Sequence, residues 1–263
     1  MAHDWLNGPE VSAVLFHPRP EWSFSDAPDA AEPVAIPLSD GIEAGGWFHP
    51  ANRDSPTILF FHGNGEIAAD YHDLAPAYAQ REIQFFPVDY RGYGRSGGRP
   101  TVSAVLEDAH EILDFLLKRR EENGETGPLA VMGRSLGSAP AIELAAKRAG
   151  EIDGLIVESG FSRTGPLLEI LGLPAASMGF DETRDGVGNR EKIAEYPGPL
   201  LVIHAEDDQL IPFQNGRELF EASPGRNKRL IPIPGADHNT LMVIGFSEYM
   251  DAVETFLRNF KRE

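Results

Sequence analysis

The chain contains no cysteine. Disulfides, thiolate nucleophiles and Cys-ligated metal centres are therefore excluded, and the composition fits a reducing compartment such as the cytoplasm. Positive charge is also scarce. Lys and Arg number 23 against 41 Asp and Glu, a net charge of −18 at pH 7. Such a surface repels nucleic acid and anionic lipid headgroups. The longest basic runs, Lys118-Arg119-Arg120 and Lys228-Arg229, are too short to offset it. No apolar stretch is long enough to span a bilayer. The start, MAHDWLNGPE, has no basic head and no apolar core, so it does not read as a secretory signal. There is no His-Glu-x-x-His pair and no dense histidine cluster, so neither a metal nor another cofactor is expected. What is present is an ordinary globular balance: 41% hydrophobic and 24% charged residues in a chain of 263.

Short apolar runs alternate with longer amphipathic ones. "PTILFF", "EIQFFPVD", "LAVMG", "GLIVES", "PLLVIH" and "RLIPI" read as buried parallel strands. The earlier "VAIPL" and "EAGGWFH" read as an antiparallel pair. Between the strands, Val105, Leu106, Ala109, Ile112, Leu113, Leu116 and Leu117 repeat at helical spacing, with Thr101 as N-cap and Gly124 as stop. "LGSAPAIELAAKRAG", "NGRELFEASPG" and "FSEYMDAVETFLRNF" read as further helices. This alternation predicts a mostly parallel sheet with helices on both faces. Residues 161–196 break the rhythm with many Gly and Pro and no strand pattern, yet they keep Leu167, Leu168, Ile170, Leu171, Leu173, Met178 and Phe180. The expectation is one domain over 1–263 in which 161–196 is a short cap-like insertion.

Gly-x-Ser-x-Gly occurs twice, around Ser96 and around Ser135. With 27 Gly in the chain, about 0.1–0.2 matches arise by accident, so context has to separate the two. Ser135 follows "PLAVMG", a strand, and precedes "LGSAPAIELAAKR", a helix. A nucleophile elbow requires that junction. The flanking glycines leave room for the tight turn, and the helix N-terminus directs free N–H groups toward developing negative charge. Ser96 is followed by Gly97, Gly98 and Pro100, where no helix can begin, and reads as a turn residue in a flexible loop.

With these segments in view, the chain resembles an α/β-hydrolase over residues 30–260. "FFHGNG", "VDYRGYGRSGG", "GRSLGS", "HAEDDQLIP" and "GADHN" are similar to that family's oxyanion, post-strand, elbow, acid and histidine loops, in the family's order. The closest likeness is to serine hydrolases with little or no cap, among which are esterases, thioesterases and peptidases. The resemblance implies an eight-stranded α/β-hydrolase sheet and the order Ser, acid, His. His238 alone lies beyond the acid loop. The family pattern H-x-x-x-D-x-[LI]-[IV]-P selects Asp208, with Asp207 the alternative if the register slips by one. A cation site at the acidic trio Glu206-Asp207-Asp208 lacks a spaced ligand set. Asp89, at the end of an earlier strand, is a further position from which some relatives draw an acid. By the same resemblance, the backbone N–H groups of Asn64 and Leu136 form the oxyanion hole, while His62 and His204 hold loops in place. The implied activity is cleavage of a small-molecule ester or thioester through an acyl-enzyme. An aminopeptidase-like hydrolase, an acyltransferase and a non-catalytic binding protein are the alternatives.

Overall fold

In the computed structural model, which describes residues 3–22 and 27–260, the apolar runs form β1 (Glu32–Pro37), β2 (Glu43–Phe48), β3 (Thr57–Phe61), β4 (Gln84–Val88), β5 (Leu129–Arg134), β6 (Gly154–Glu158), β7 (Leu200–Ala205) and β8 (Lys228–Ile233). Residues 1, 2, 23–26 and 261–263 of the expected 1–263 domain lie outside the described residues. The strands make one sheet in the order β1-β2-β4-β3-β5-β6-β7-β8. β1 and β2 pair antiparallel, β2 meets β4 antiparallel, and all later neighbours are parallel. The outermost strands both carry proline: Pro33 and Pro37 in β1, Pro232 in β8.

The helices described are α1 (Pro9–Leu15), α2 (Ala75–Ala79), α3 (Val102–Asn123), α4 (Ser138–Lys147), α5 (Thr164–Ile170), α6 (Glu182–Asp185), α7 (Asn189–Glu195), α8 (Gln214–Ala222) and α9 (Leu241–Arg258). Among the described residues none is long and apolar enough to cross a membrane. The helices divide by face because strand side chains alternate. Leu59, Phe61, Phe86, Val131 and Val157 pack in one layer with α1, α3, α4, α5 and α8. Ile58, Phe60, Phe85, Met132 and Ile156 pack in the other with α2 and α9. Strands covered on both sides read as continuous apolar runs, and β3, β4 and β6 are buried at every position.

The ends of α3 fall where the sequence puts them. Thr101 Oγ1 accepts the Ala104 N–H at 3.1 Å, and Gly124 sits in the left-handed region at φ 64°. Elsewhere the limits move. α4 closes at Lys147, and a short 3-10 turn, Ala149–Glu151, carries the chain past Gly150. α9 begins at Leu241, before Phe246, and bends at Gly245, which packs tightly against Ile233. Ser96 is less free than its glycine-rich surroundings suggest. Its hydroxyl donates to the Asp89 carbonyl at 2.9 Å and accepts the Gly45 N–H at 2.8 Å, tying β2 to the loop after β4.

Residues 161–196 hold α5, α6, α7 and a 3-10 turn at Ala175–Met178. The Glu182 carboxylate accepts the Thr164 and Gly165 N–H groups at 2.8 and 2.7 Å, satisfying the first donors of α5. Leu167, Leu168 and Leu173 are buried, whereas Ile170 and Met178 stay exposed. α7 is fastened to α4 by Lys192 Nζ, 2.6 Å from Glu143, and His110 of α3 approaches the same carboxylate at 3.6 Å. Burial alone would raise the Glu143 pKa from its ordinary 4.5, but hydrogen bonds from His110 and Lys192 bring it down to about 2. A carboxylate depressed by folding contributes stability above its unfolded pKa and loses it as pH falls through its folded one. Glu143→Gln is therefore expected to flatten the fall in urea midpoint between pH 4.5 and about 2. Midpoints of both proteins across that window check it.

Candidate active site

After β3 the chain crosses to β4 and then returns to β5 on the other side of β3. The loops leaving β3 and β5 therefore emerge side by side at a switch point, where open α/β sheets bind ligands beyond the carboxyl ends of the strands. The first loop carries His62-Gly63-Asn64 and the second carries Ser135. The loops after β7 and β8 open on the same edge and carry Asp208 and His238.

Ser135 stands at φ 52°, a left-handed conformation that a non-glycine residue adopts only at a cost. The turn is forced because β5 must pass into α4 within a few residues. Two close approaches make it possible. A Cβ on Gly137 would collide with the Phe61 carbonyl, and one on Gly133 would collide with the Gly137 carbonyl. Ser138 Oγ donates to the Ser135 carbonyl at 2.7 Å and closes the turn.

Ser135 Oγ lies 3.0 Å from His238 Nε2, and His238 Nδ1 lies 2.7 Å from Asp208 Oδ2. A carboxylate only accepts, so Nδ1 carries the proton and Nε2 is left to accept from the serine hydroxyl. Asp208 is itself oriented. Its Oδ1 accepts the Leu210 and Ile211 N–H groups at 3.0 and 2.7 Å. Asp208 is buried while Glu206 and Asp207 are exposed, so the carboxylate that meets the imidazole is Asp208. His204 backs the loop by donating Nε2–H to the Ile211 carbonyl at 2.7 Å, and burial pushes its pKa down.

The loop after β3 is equally constrained. His62 donates Nδ1–H to the Gly63 carbonyl at 2.8 Å, and the Tyr90 hydroxyl donates to the His62 carbonyl at 2.6 Å. Asp89 lies here too, apart from His238. It accepts the Ala68 N–H at 2.8 Å and faces His62 Nε2 at 3.5 Å. The structure brings Ser135, Asp208 and His238 together and sets the Asn64 and Leu136 loops on adjacent strands. Asp89 and Ser96 are engaged elsewhere, and the Asp207 side chain is exposed. Among the described residues, no three His, Asp or Glu side chains converge as metal ligands would.

A further group was not read from the sequence. Arg134, immediately before Ser135, lies 3.0 Å from Glu66 and 3.6 Å from Glu158, and it donates to the His238 carbonyl at 3.1 Å. Glu66 also accepts the Gly63 N–H at 2.7 Å and the Tyr71 hydroxyl at 2.6 Å. Glu158 accepts the Tyr249 hydroxyl at 2.9 Å. One guanidinium thus joins the elbow, the loop after β3, the histidine loop and β6. Burial works against its charge, but Glu158 and Glu66 outweigh that and raise its pKa. Burial raises the pKa of Glu158, with Arg134 opposing. The signal in the sequence is an arginine inside the elbow motif, where the adjoining strand is otherwise apolar.

A hydroxyl held by an imidazole that a buried carboxylate orients can surrender its proton to that imidazole and attack an electrophilic carbon. A family model described as "Serine aminopeptidase, S33" matches residues 53–178. The uncharacterized protein YfhR of Escherichia coli K12 is 28% identical over 236 residues, covering 88% of this chain and 81% of the relative. Protein ABHD12B of Homo sapiens is 30% identical over 237 residues, covering 78% of this chain and 63% of the relative. Among solved structures, an esterase of Pyrococcus furiosus, Pf2001, superposes with a TM-score of 0.72 at 22% identity, covering 93% of this chain and 99% of that one. A soluble variant of a monoglyceride lipase from Saccharomyces cerevisiae, in complex with a substrate analog, gives 0.67 at 18% identity, covering 92% and 99%. At these identities the likeness shows a shared fold.

Replacing Arg134 with methionine leaves two carboxylates partly buried without their cation. The expected loss of unfolding free energy is about 3–5 kcal/mol, checked by urea denaturation. Arg134→Lys should recover part of it.

Proposed function

We propose that this chain, which belongs to the α/β-hydrolase superfamily, is a serine hydrolase that cleaves carboxylic esters or thioesters of small apolar acyl groups. The observation that carries the reading is the continuous hydrogen-bonded path from Asp208 through His238 to Ser135, at 2.7 and 3.0 Å. Ser135 Oγ attacks the acyl carbon while His238 Nε2 takes its proton. Asp208 keeps Nδ1 protonated and stabilises the imidazolium that forms. The Asn64 and Leu136 N–H groups receive the oxyanion, a contribution worth about 10²–10³ in rate for each donor. His238 then delivers the proton to the leaving alcohol or thiol. Water enters, His238 acts again as base, and the acyl-enzyme is hydrolysed. The segment 161–196 acts as a short cap over this edge. A reaction of this kind needs no cofactor and suits a reducing compartment such as the cytoplasm.

Peptidase activity is the second reading, favoured by the description of the matched family model. An aminopeptidase must pair a free α-ammonium with an unengaged carboxylate. The buried carboxylates that the structure sets at the triad and its arginine are committed: Asp208 to His238, Glu66 and Glu158 to Arg134. That favours an uncharged acyl group.

Ser135→Ala is expected to lower kcat/KM on a short p-nitrophenyl ester by roughly 10⁶-fold and to abolish fluorophosphonate labelling. Ser96→Ala should keep both and lose only about 1 kcal/mol of stability. Labelling that survives in Ser135→Ala would place the nucleophile elsewhere. Parallel assays with aminoacyl amides separate esterase from aminopeptidase.

A further inference from the structure

Residues 3–21, which the sequence left unread, run as an arm from the 161–196 segment to the loops after β3 and β4. At one end the Trp5 ring packs on Phe180 with centroids 4.9 Å apart. Midway, Asn7 and Ser103 of α3 exchange hydrogen bonds at 2.8 and 3.1 Å. At the other end the arm is tied to the loop after β4. The Gly94 N–H donates to the Arg19 carbonyl at 2.8 Å, and the Glu21 N–H donates back to the Gly94 carbonyl at 3.1 Å.

Its hold on the loop after β3 centres on Asn64. The His17 N–H donates to Asn64 Oδ1 at 2.9 Å and to the Tyr93 hydroxyl oxygen at 2.8 Å, and that hydroxyl donates to the same Oδ1 at 2.8 Å. The other end of the amide donates to His17 Nδ1 at 2.8 Å, so Nδ1 carries no proton. One residue further on, Arg19 Nε donates to the Gly65 carbonyl at 2.8 Å. The Arg19 guanidinium also pairs with Asp70, which accepts the Ile67 N–H at 3.0 Å. The Asn64 side chain is therefore turned to the arm. The loop needs such support. Gly63 and Gly65, the latter at φ 75°, give it little stiffness of its own. A donor that stabilises an oxyanion acts only if it is already in place when the charge develops.

We infer that His17 is a positioning residue for catalysis: through the Asn64 side chain it holds the Asn64 backbone N–H where the oxyanion forms, so the N-terminal arm serves the chemistry at one remove from the reacting atoms. The inference rests on the serine-hydrolase reading, with Ser135 as nucleophile and the Asn64 N–H as an oxyanion donor. The amide side chain of Asn64 is then a handle and its backbone the working group. Loosening the handle lowers turnover without weakening the binding of substrate.

The test compares wild type, Asn64→Ala, His17→Ala, His17→Asn and Asn7→Ala on a short p-nitrophenyl ester and on its thiono counterpart, in which C=S replaces C=O. Sulfur is the poorer hydrogen-bond acceptor, so an ordered oxyanion hole favours the oxygen ester and a loosened one loses that preference. Asn64→Ala keeps the backbone N–H and removes the handle. Its kcat is expected to fall about tenfold or more, short of the roughly 10²–10³ of a donor lost outright, with KM changed by less than about twofold. His17→Ala removes one hydrogen bond of the group and should lower kcat by about three- to tenfold. Both variants should narrow the oxygen-to-sulfur ratio. His17→Asn returns an acceptor near the place of Nδ1 and should restore kcat and ratio together. Asn7→Ala loosens the arm far from Asn64 and should lower only the urea midpoint. An unchanged ratio in folded Asn64→Ala and His17→Ala overturns the inference, while wild-type turnover that Ser135→Ala abolishes leaves the hydrolase reading standing. A loss of kcat in Asn7→Ala as large as in His17→Ala marks general loosening and overturns it as well. Absence of turnover in the wild type sinks the hydrolase reading and the inference together. If Asn64→Ala does not fold, the pair His17→Ala and His17→Asn decides the matter.

Discussion

The geometry of the site depends on a single backbone turn. Ser135 is held in the left-handed region because β5 has to become α4 at once. That conformation exists only where neighbouring atoms allow it, so the residues around it are constrained in sequence. Gly133 and Gly137 let backbones pass at distances no side chain would permit. Strain of about 1–3 kcal/mol at such a position is sustained by the packed strands on either side. The β3 carbonyls that press on Gly137 also place the Asn64 loop, so the turn and the loop opposite it are set by one contact.

Around that turn the polar groups form two linked systems. One is the path Asp208–His238–Ser135, with His204 and the Leu210 and Ile211 N–H groups holding the carboxylate. The other is the ionic cluster of Arg134, Glu66 and Glu158. The two meet at His238, whose side chain belongs to the first and whose carbonyl belongs to the second. Buried charges are tolerated only when paired and hydrogen-bonded. Glu66 and Glu158 satisfy that through Gly63, Tyr71 and Tyr249 as well as through Arg134. The arrangement explains why an arginine occupies a position where the strand would otherwise be apolar.

Much of this was legible in the sequence, for identifiable reasons. Strands covered on both faces appear as unbroken apolar runs, so β3 to β7 could be placed closely. The junction of a strand, a serine and an alanine-rich helix distinguished Ser135 from Ser96, because no helix can begin within Gly97-Gly98-Arg99-Pro100. The choice between Asp207 and Asp208 was a matter of register. Burial of one and exposure of the other decides which meets the imidazole, and neighbouring acids carry no such label. What stayed hidden has no local pattern. α1 has only seven residues and owes its place to contacts far along the chain. The partners of Arg134 come from three separate segments, the loop after β3, β6 and the histidine loop. Ser96 looked free because glycines flank it, yet its hydroxyl ties two backbone segments together.

The prolines in β1 and β8 bear on how the molecule meets its own kind. An edge strand advertises a row of unpaired amides to any passing β-segment. Pro33, Pro37 and Pro232 have no amide hydrogen to contribute, so a ninth strand arriving at either border would find its ladder interrupted. The sheet therefore stops at eight. Lateral growth of the sheet into a fibril is thereby disfavoured at both of its borders.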